Sequence, residues 1–369
     1  MENIQQHLEQ FRSLLAEASI DLFVVSWQEN RYYLSGFSAR DTAWNELSGF
    51  LLIDSQRQML FTDGRYIFQA REECPLYEVG LYTDDPFKTM AGAIRECGPK
   101  RVGIERQHLI LDYYQKFCHE LEGIEVVPVD TMTEKLRVTK EEWEIEKIRT
   151  SIACTEQALA RTVPRLKPGL TEKEVAWWIE EAIREGGAEA VSFDLIVASG
   201  PNAAKAHHEP SSRRLREGES IVIDIGSRLD GYCSDMTRTL ILGDPPDKLK
   251  EIYTVVRRAQ LKAINGIRPG MSTAEADALA RNEIERAGYG EYFLHSLGHG
   301  VGLAVHEEPR LRRIKPVELK ENMVVTVEPG IYLEGFGGVR LEEMIVIRRE
   351  GAELLNKDET FYSFDENLA

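Results

Sequence analysis

Hydrophobic and polar positions near the N-terminus follow a helical pattern and then an extended one. The apolar residues at three- and four-residue spacing are Leu8, Phe11, Leu14, Leu15 and Ala18. This spacing predicts a helix with one buried face. The next run, "DLFVVS", predicts a buried strand, and "GFLLID" and "QRQMLFTDGRY" predict two more strands joined by a polar turn. Strands that alternate with helices, such as one over 86–96, indicate a compact α/β unit ending near Val129.

The pattern changes at about residues 130–140, where the segment "TKEEWEIEKIRTSIACTEQALARTV" begins. Its apolar and charged positions alternate with the period of a long amphipathic helix. We therefore divide the chain into an α/β domain over 1–130 and a second domain over 131–369.

The second domain contains an internal repeat. The segment "KPGLTEKEV" at 167–175 recurs as "RPGMSTAEA" at 268–276. Each copy is a Pro-Gly turn followed by Ser or Thr with Glu three residues later, which is the pattern of a capping box at a helix start. The repeat predicts a duplicated half-domain, and a site between the two halves is then expected.

Carboxylates interrupt strands that are otherwise apolar. The segment "ESIVIDIGSRLDGYCSDMTRTLIL" predicts a hairpin that turns at Asp230-Gly231. Asp224 and Asp235 lie on its two arms, where they can approach one another. A buried carboxylate in such a strand costs several kcal/mol unless a cation or hydrogen-bond donors compensate it. The alternative is that turn amides satisfy Asp224 and that Asp235 faces water.

Two further strands carry acids. "NMVVTVEPG" ends on Glu328, and "GGVRLEEMIVI" contains Glu342 and Glu343 in one predicted strand. Strand alternation places Glu342 with Arg340 and Met344 on one face and Glu343 on the other. Only one of these adjacent glutamates is therefore expected to point into a site.

Three histidines fall within "HSLGHGVGLAVHEEPR", namely His295, His299 and His306. Together with the strand acids they suggest an oxygen-rich metal site, which suits manganese, cobalt or iron better than a thiolate-bound structural zinc. The acids carry more negative charge than one divalent ion offsets, so two ions are expected.

The charge balance excludes some classes of partner. Lys and Arg total 45 against 62 Asp and Glu, a net charge of -17, which repels nucleic acid and anionic membranes. We expect no secretory signal and no membrane span. Five scattered cysteines without C-x-x-C spacing suit a reducing compartment, so a cytoplasmic location is expected.

Four segments resemble the Xaa-Pro dipeptidases (prolidases) and Xaa-Pro aminopeptidases of the creatinase and methionine aminopeptidase group. They are "AHHEPSSRRL", "IVIDIGSRLDGYCSDMTRT", "HSLGHGVGLAVHEEP" and "TVEPGIYLEGFGGVRLEEM". The resemblance covers about 140–350, and "NRYYLSGF" and "LFTDGRY" add a weaker resemblance over 1–130. It implies an α+β chain, in which a pita-bread catalytic domain with an internal pseudo-repeat follows a smaller α/β creatinase-type domain.

The resemblance also implies a set of site residues. Two divalent ions, Mn²⁺ or Co²⁺ with Fe²⁺ or Zn²⁺ as alternatives, would be held by Asp224, Asp235, His299, Glu328 and Glu342, with Asp235 and Glu342 bridging. Substrate-contacting or supporting groups would be His207, His295, His306 and Arg340. The reaction implied is hydrolysis of an Xaa-Pro bond by a hydroxide held between the ions. Glu328 would move its proton, and His306 or His207 would donate to the tetrahedral intermediate.

The chain departs from the family pattern at three positions. Ala206 replaces a common proline, His208 a small residue and Glu343 a common aspartate. None of these removes a proposed ligand. His207 lies three residues before Pro210, as in the family, whereas His208 is expected to be a solvated loop histidine.

The sequence is compatible with more than one function. An Xaa-Pro dipeptidase is favoured, with an aminopeptidase on longer peptides as the alternative. A metal-dependent hydrolase of a small amino-acid derivative is a further possibility, and the complete ligand set argues against a non-catalytic peptide-binding module. The expected partners are a proline-containing di- or oligopeptide and a second copy of the chain in a homodimer.

Overall fold

A computed structural model describes residues 2–41, 43 and 45–364. The chain divides into two compact units, Met1–Arg137 and Val138–Ala369. In the part of the chain that is described, no helix has the length and apolar character that a membrane span requires.

The first unit is an α/β sandwich built on a mixed sheet. Its helices are α1 (Glu2–Glu17), α2 (Gln28–Ser35), α3 (Ile67–Glu73), α4 (Pro86–Cys97), α5 (Leu111–Glu120) and α6 (Glu134–Arg137). Its strands are β1 (Leu22–Val25), β2 (Phe50–Asp54), β3 (Gln58–Thr62), β4 (Glu78–Leu81), β5 (Arg101–Glu105) and β6 (Glu125–Val129). The sheet order is β4-β3-β2-β1-β5-β6. The predicted N-terminal helix, the three predicted strands and the helix over 86–96 are confirmed.

The second unit is a mixed α+β structure. Its helices are α7 (Glu142–Thr162), α8 (Glu172–Glu185), α9 (Asp247–Gly266) and α10 (Thr273–Arg286). The strands of its first half are β7 (Ala190–Val191), β8 (Ile196–Ser199), β9 (Ser220–Ile225), β10 (Ser227–Leu229), β11 (Tyr232–Cys233) and β12 (Met236–Ile241). Those of its second half are β13 (Gly298–Gly300), β14 (Glu307–Leu311), β15 (Val324–Val327), β16 (Gly330–Leu333), β17 (Gly337–Arg340), β18 (Glu343–Arg348) and β19 (Gly351–Leu354).

The two halves of this unit repeat one pattern, as the sequence predicts. Both capping boxes form, with Thr171 at the start of α8 and Ser272 at the start of α10. After each Pro-Gly turn the chain pairs with the segment that leads into a strand: Gly169 N donates to Leu215 O, and Gly270 N donates to Leu319 O. Each half therefore places a helix pair against an antiparallel sheet, β12-β9-β8 in the first and β14-β13-β15-β18-β19 in the second.

The predicted hairpin over 219–242 is confirmed. β9 and β12 pair in antiparallel register with Asp224 opposite Thr237. The turn has φ of 51° at Asp230 and 80° at Gly231, so both residues are left-handed, as a tight hairpin turn of the favoured hand requires. Asp235 lies just before β12, diagonal to Asp224 across the two strands.

The single strand predicted around Glu342 and Glu343 is wrong in one respect, because it is broken into two. β17 ends at Arg340 and pairs with β16, whereas β18 begins at Glu343 and pairs with β15. Between them Glu342 N donates to Thr237 O of the first-half hairpin. The chain leaves one sheet and joins another at this point, and the crossover brings Glu342 against the first half.

Candidate metal centre

A cavity of about 460 Å³ opens in the second unit, and all nine residues predicted for the site line it. They are Asp224, Asp235, His299, Glu328, Glu342, His207, His295, His306 and Arg340. The first-half hairpin supplies the two aspartates, and the second half supplies His299 on β13, Glu328 just after β15 and Glu342 between β17 and β18. The cavity therefore lies between the two halves of the repeat, as expected from the duplication.

The acids and His299 converge closely enough to share cations. Ligand atoms of Asp235, His299 and Glu342 all lie within 4.8 Å of one another. His299 Nε2 is 3.6 Å from Asp235 Oδ2 and 3.4 Å from Glu328 Oε1. Asp224 Oδ1 and Glu342 Oε1 are buried and accept no hydrogen bond from any described residue. Buried acceptors without donors are costly, and a divalent cation is the compensation that this donor set fits.

The raised pKa values of the clustered acids also indicate a cation site. Burial, followed by repulsion from Glu342, raises the pKa of Asp235 well above its ordinary range. Burial also raises the pKa of Glu342 well above its ordinary range, and Glu328 and Asp224 add to the shift. Burial raises the pKa of Glu328 to about 8. Without a cation the cluster retains protons, and bound divalent ions would favour the ionised ligands.

Arg340 connects the acids of both halves. Its guanidinium donates to Asp224 Oδ2 at 2.7 Å, to Thr237 Oγ1 at 3.1 Å and to Ala206 O at 3.2 Å. Thr237 in turn donates to Glu342 Oε2 at 2.8 Å. This network fixes the orientation of two predicted ligands, which is the role of groups that surround a metal site.

His295 supports the network through Tyr332. Its Nδ1 faces Ser296 O at 2.8 Å, so this nitrogen carries the proton and donates, while Nε2 accepts from Tyr332 Oη at 2.8 Å. Tyr332 Oη also accepts from Arg340 Nη1 at 2.9 Å. Burial, followed by the Arg340 charge, lowers the pKa of His295 to about 4, so the imidazole is neutral at physiological pH.

The remaining histidines occupy different environments. His306 packs edge-on against His299 with ring centroids 4.4 Å apart, and burial lowers its pKa. His207 lines the cavity and is exposed to it. The expectation that His208 is solvated is wrong, because its side chain is 9% exposed and its Nε2 lies 2.9 Å from Glu172 Oε2. Glu172 is a buried acid with no signal in the strand patterns, which explains why the sequence gives no hint of this pair.

The adjacent glutamates separate as predicted. Glu342 lines the cavity, whereas Glu343 binds Arg238 Nη2 at 3.1 Å in the interior. Burial raises the pKa of Glu343 to about 7, against the opposing effect of Arg238.

Arg310 is a cavity residue that sequence reasoning missed. It lies on β14 opposite His299 and lines the cavity. Its side chain makes no hydrogen bond or ion pair with any described residue, although its charge lowers the pKa of His306. The register between β13 and β14 shifts between His299 and Gly300, so the facing of side chains here does not follow simple strand alternation. The sequence pattern alone therefore does not reveal this position.

A duplicated α+β unit with this acid and imidazole cluster defines a metal-dependent hydrolase. The chain belongs to metallopeptidase family M24, which matches residues 146–349, and residues 7–139 match the Creatinase/Prolidase N-terminal domain. The two-domain fold class implied by the sequence is thereby confirmed. Divalent metal ions are expected from the family, consistent with the buried Asp, His and Glu cluster.

Full-length relatives include enzymes of two specificities. An Xaa-Pro dipeptidase of Pyrococcus furiosus is 35% identical over 96% of this chain and 99% of that protein. The solved Xaa-Pro dipeptidase of Bacillus anthracis is 37% identical, with a TM-score of 0.91 over 96% of this chain and 98% of that one. The solved X-Pro aminopeptidase of Thermotoga maritima is 35% identical, with a TM-score of 0.88 over 95% and 97%.

Proposed function

We propose that this metallopeptidase is an Xaa-Pro dipeptidase. The observation that carries the proposal is Arg310, a cation in the same cavity as the acid cluster whose side chain makes no hydrogen bond or ion pair with any described residue. The carboxylate of a dipeptide lies one residue beyond the bond that is cleaved, so a guanidinium in the cavity can bind it in a bidentate geometry. A longer peptide carries its carboxylate away from this position.

The proposed ligands are Asp224, Asp235, His299, Glu328 and Glu342, with Asp235 and Glu342 shared by two ions. Mn²⁺ or Co²⁺ suits this oxygen-rich set best, with Fe²⁺ or Zn²⁺ as alternatives. When bound, such ions polarise a carbonyl and lower the pKa of water to roughly 7.

The protein groups supply proton transfer and orientation. Glu328 would accept a proton from the attacking water and deliver it to the proline nitrogen as the peptide bond breaks. His306 or His207 would donate to the oxygen of the tetrahedral intermediate. Arg340 would hold Asp224, and His295 would hold Tyr332 on Arg340. None of these roles requires an N–H on the scissile amide, which an Xaa-Pro bond lacks.

Hydrolysis of Ala-Pro after chelation and after addition of Mn²⁺ or Co²⁺ tests the proposal, together with the metal content of the active protein. We expect about two ions per chain, loss of activity on chelation and recovery with either metal. Full activity in a metal-free preparation would contradict the metal mechanism.

Arg310→Gln tests the preference for dipeptides, with Arg312→Gln as a matched control, since Arg312 is exposed and lies just beyond the end of β14. Loss of a charged hydrogen bond predicts a roughly tenfold to hundredfold rise in KM for Ala-Pro. Ala-Pro-Gly should be a poor substrate of the unaltered enzyme. If the tripeptide is preferred and Arg310→Gln leaves KM unchanged, the enzyme is an Xaa-Pro aminopeptidase, as the Thermotoga maritima relative is named.

If the metal-loaded protein cleaves neither peptide, the proposal is wrong, and hydrolysis of a small amino-acid derivative is the alternative to test next. We also infer a homodimer that acts in the cytoplasm, from the family resemblance and the cysteine pattern. Sedimentation equilibrium of the purified chain measures the first, and cell fractionation the second.

A further inference from the structure

Glu172 is a fully buried carboxylate that the proposed mechanism does not use. It is the first residue of α8, and its side chain is 0% exposed. Its two oxygens accept hydrogen bonds from Ser199, Asn202, His208 and Ser211. The free backbone N–H groups at a helix start are usually bonded by exposed capping residues, and Thr171 and Glu174 already cap α8 in this way. Helix capping therefore does not explain why Glu172 is buried.

The carboxylate joins two segments of chain. Its Oε1 accepts from Ser199 N at 2.7 Å and from Ser199 Oγ at 2.8 Å, at the end of β8. Its Oε2 accepts from Ser211 N at 3.0 Å and Ser211 Oγ at 2.6 Å, and it lies 2.9 Å from His208 Nε2. Charged hydrogen bonds in a buried site are strong and short. Burial would raise the pKa of Glu172, but the bonds from Ser211, His208 and Ser199 outweigh it and lower the pKa to about 2.

The segment that Glu172 holds is the one that carries His207. On one side of His207, Ala206 O accepts from Arg340 Nη1 at 3.2 Å. On the other side, His208 is bound to Glu172. The imidazole of His207 lines the cavity between these two attachments. Arg340 also holds Asp224, so one attachment is part of the proposed metal centre and the other is not.

We propose that Glu172 is a positioning residue, which holds His207 at the cavity by fixing the backbone that follows it. This inference rests on the proposed role of His207 in the reaction. Glu172 itself acts at a distance, through His208 and Ser211, and makes no contact with substrate.

A double-mutant cycle tests the proposal. Glu172→Gln keeps the shape of the side chain, but its amide group meets fixed donors that need an acceptor. Glu174→Gln is the matched control on the same helix, because glutamine also completes a capping box. A small displacement of a catalytic group is costly, so we expect Glu172→Gln to lower kcat on Ala-Pro at least about tenfold, with KM and metal content little changed. Glu174→Gln should retain kcat.

The decisive comparison is made in a His207→Ala background. If Glu172 acts through His207, adding Glu172→Gln there should lower kcat by less than about threefold, because the two effects share one cause. An undiminished loss in that background would overturn the proposal and indicate a general structural role. A normal kcat for His207→Ala alone would instead refute the role of His207 in the proposed function.

A readout independent of activity accompanies the cycle. Hydrogen–deuterium exchange should show faster exchange over 205–212 in Glu172→Gln than in Glu174→Gln, with α8 unchanged. Equal protection of this segment in both variants would overturn the proposal even if the substrate were misassigned. If Glu172→Gln does not fold, Ser211→Ala removes the hydroxyl bond to the carboxylate, together with the bonds that this hydroxyl accepts from Arg213 N and Asn202 Nδ2. The same cycle and exchange comparison then apply.

Discussion

The metal-free enzyme should become less stable as pH rises from 6.5 to 8, because of the partly buried Glu328. Its pKa is about 8 in the folded protein, against an ordinary value of 4.5. Between these values the folded state keeps a proton that the unfolded state has lost, so stability falls with rising pH and levels off above about 8. Below pH 6.5 the neutral His295 and His299 have the opposite effect, since burial lowers their pKa values to about 4 and about 3.

The size of this loss of stability follows from the width of the pH interval. Each pH unit is worth about 1.36 kcal/mol for one proton, so 1.5 units give about 2 kcal/mol from Glu328 alone. Asp235 and Glu342, whose pKa values are also raised, add to the same slope. For a unit of this size, about 2 kcal/mol corresponds to a fall in Tm of roughly 4–8 °C.

Thermal unfolding of the chelated protein, followed by circular dichroism at pH 6.5, 7.2 and 8 in constant ionic strength, measures this slope. Glu328→Gln cannot ionise, so its slope should be smaller. Added Mn²⁺ should raise Tm more at pH 8 than at pH 6.5, because deprotonated ligands bind the metal better. A chelated wild-type protein whose Tm is constant or rises over this interval would refute the reasoning.

Two further outcomes concern the site. Asp235→Asn and Glu342→Gln should each abolish Ala-Pro hydrolysis while circular dichroism shows a retained fold, since an amide is a neutral and weaker bridge between two ions; activity within a few-fold of wild type would contradict the bridging assignment. His207→Ala should lower kcat by roughly 10²-fold with unchanged metal content, whereas His208→Ala should cost much less, because it removes one of several bonds to the carboxylate that holds the loop. The reverse order in steady-state kinetics would make His208 the donor.

Local sequence determined much of this protein. The two capping boxes, the hairpin at Asp230-Gly231 and the repeat of the half-domain all depend on residues a few positions apart, so their patterns survive folding unchanged. The nine residues predicted for the site line one cavity, because each belongs to a short segment that borders this cavity between the two halves.

The tertiary structure decided what depends on pairing between distant segments. The break between β17 and β18 follows from strand exchange between two sheets, and it turns Glu342 toward Thr237 while Glu343 remains with Arg238. His208 hydrogen-bonds to an acid 36 residues earlier in the chain, a partner that no periodic pattern indicates. Strand register and loop docking are set by burial across the whole unit. The sequence therefore contains the groups of the site, and only the folded chain determines which of them hold one another in place.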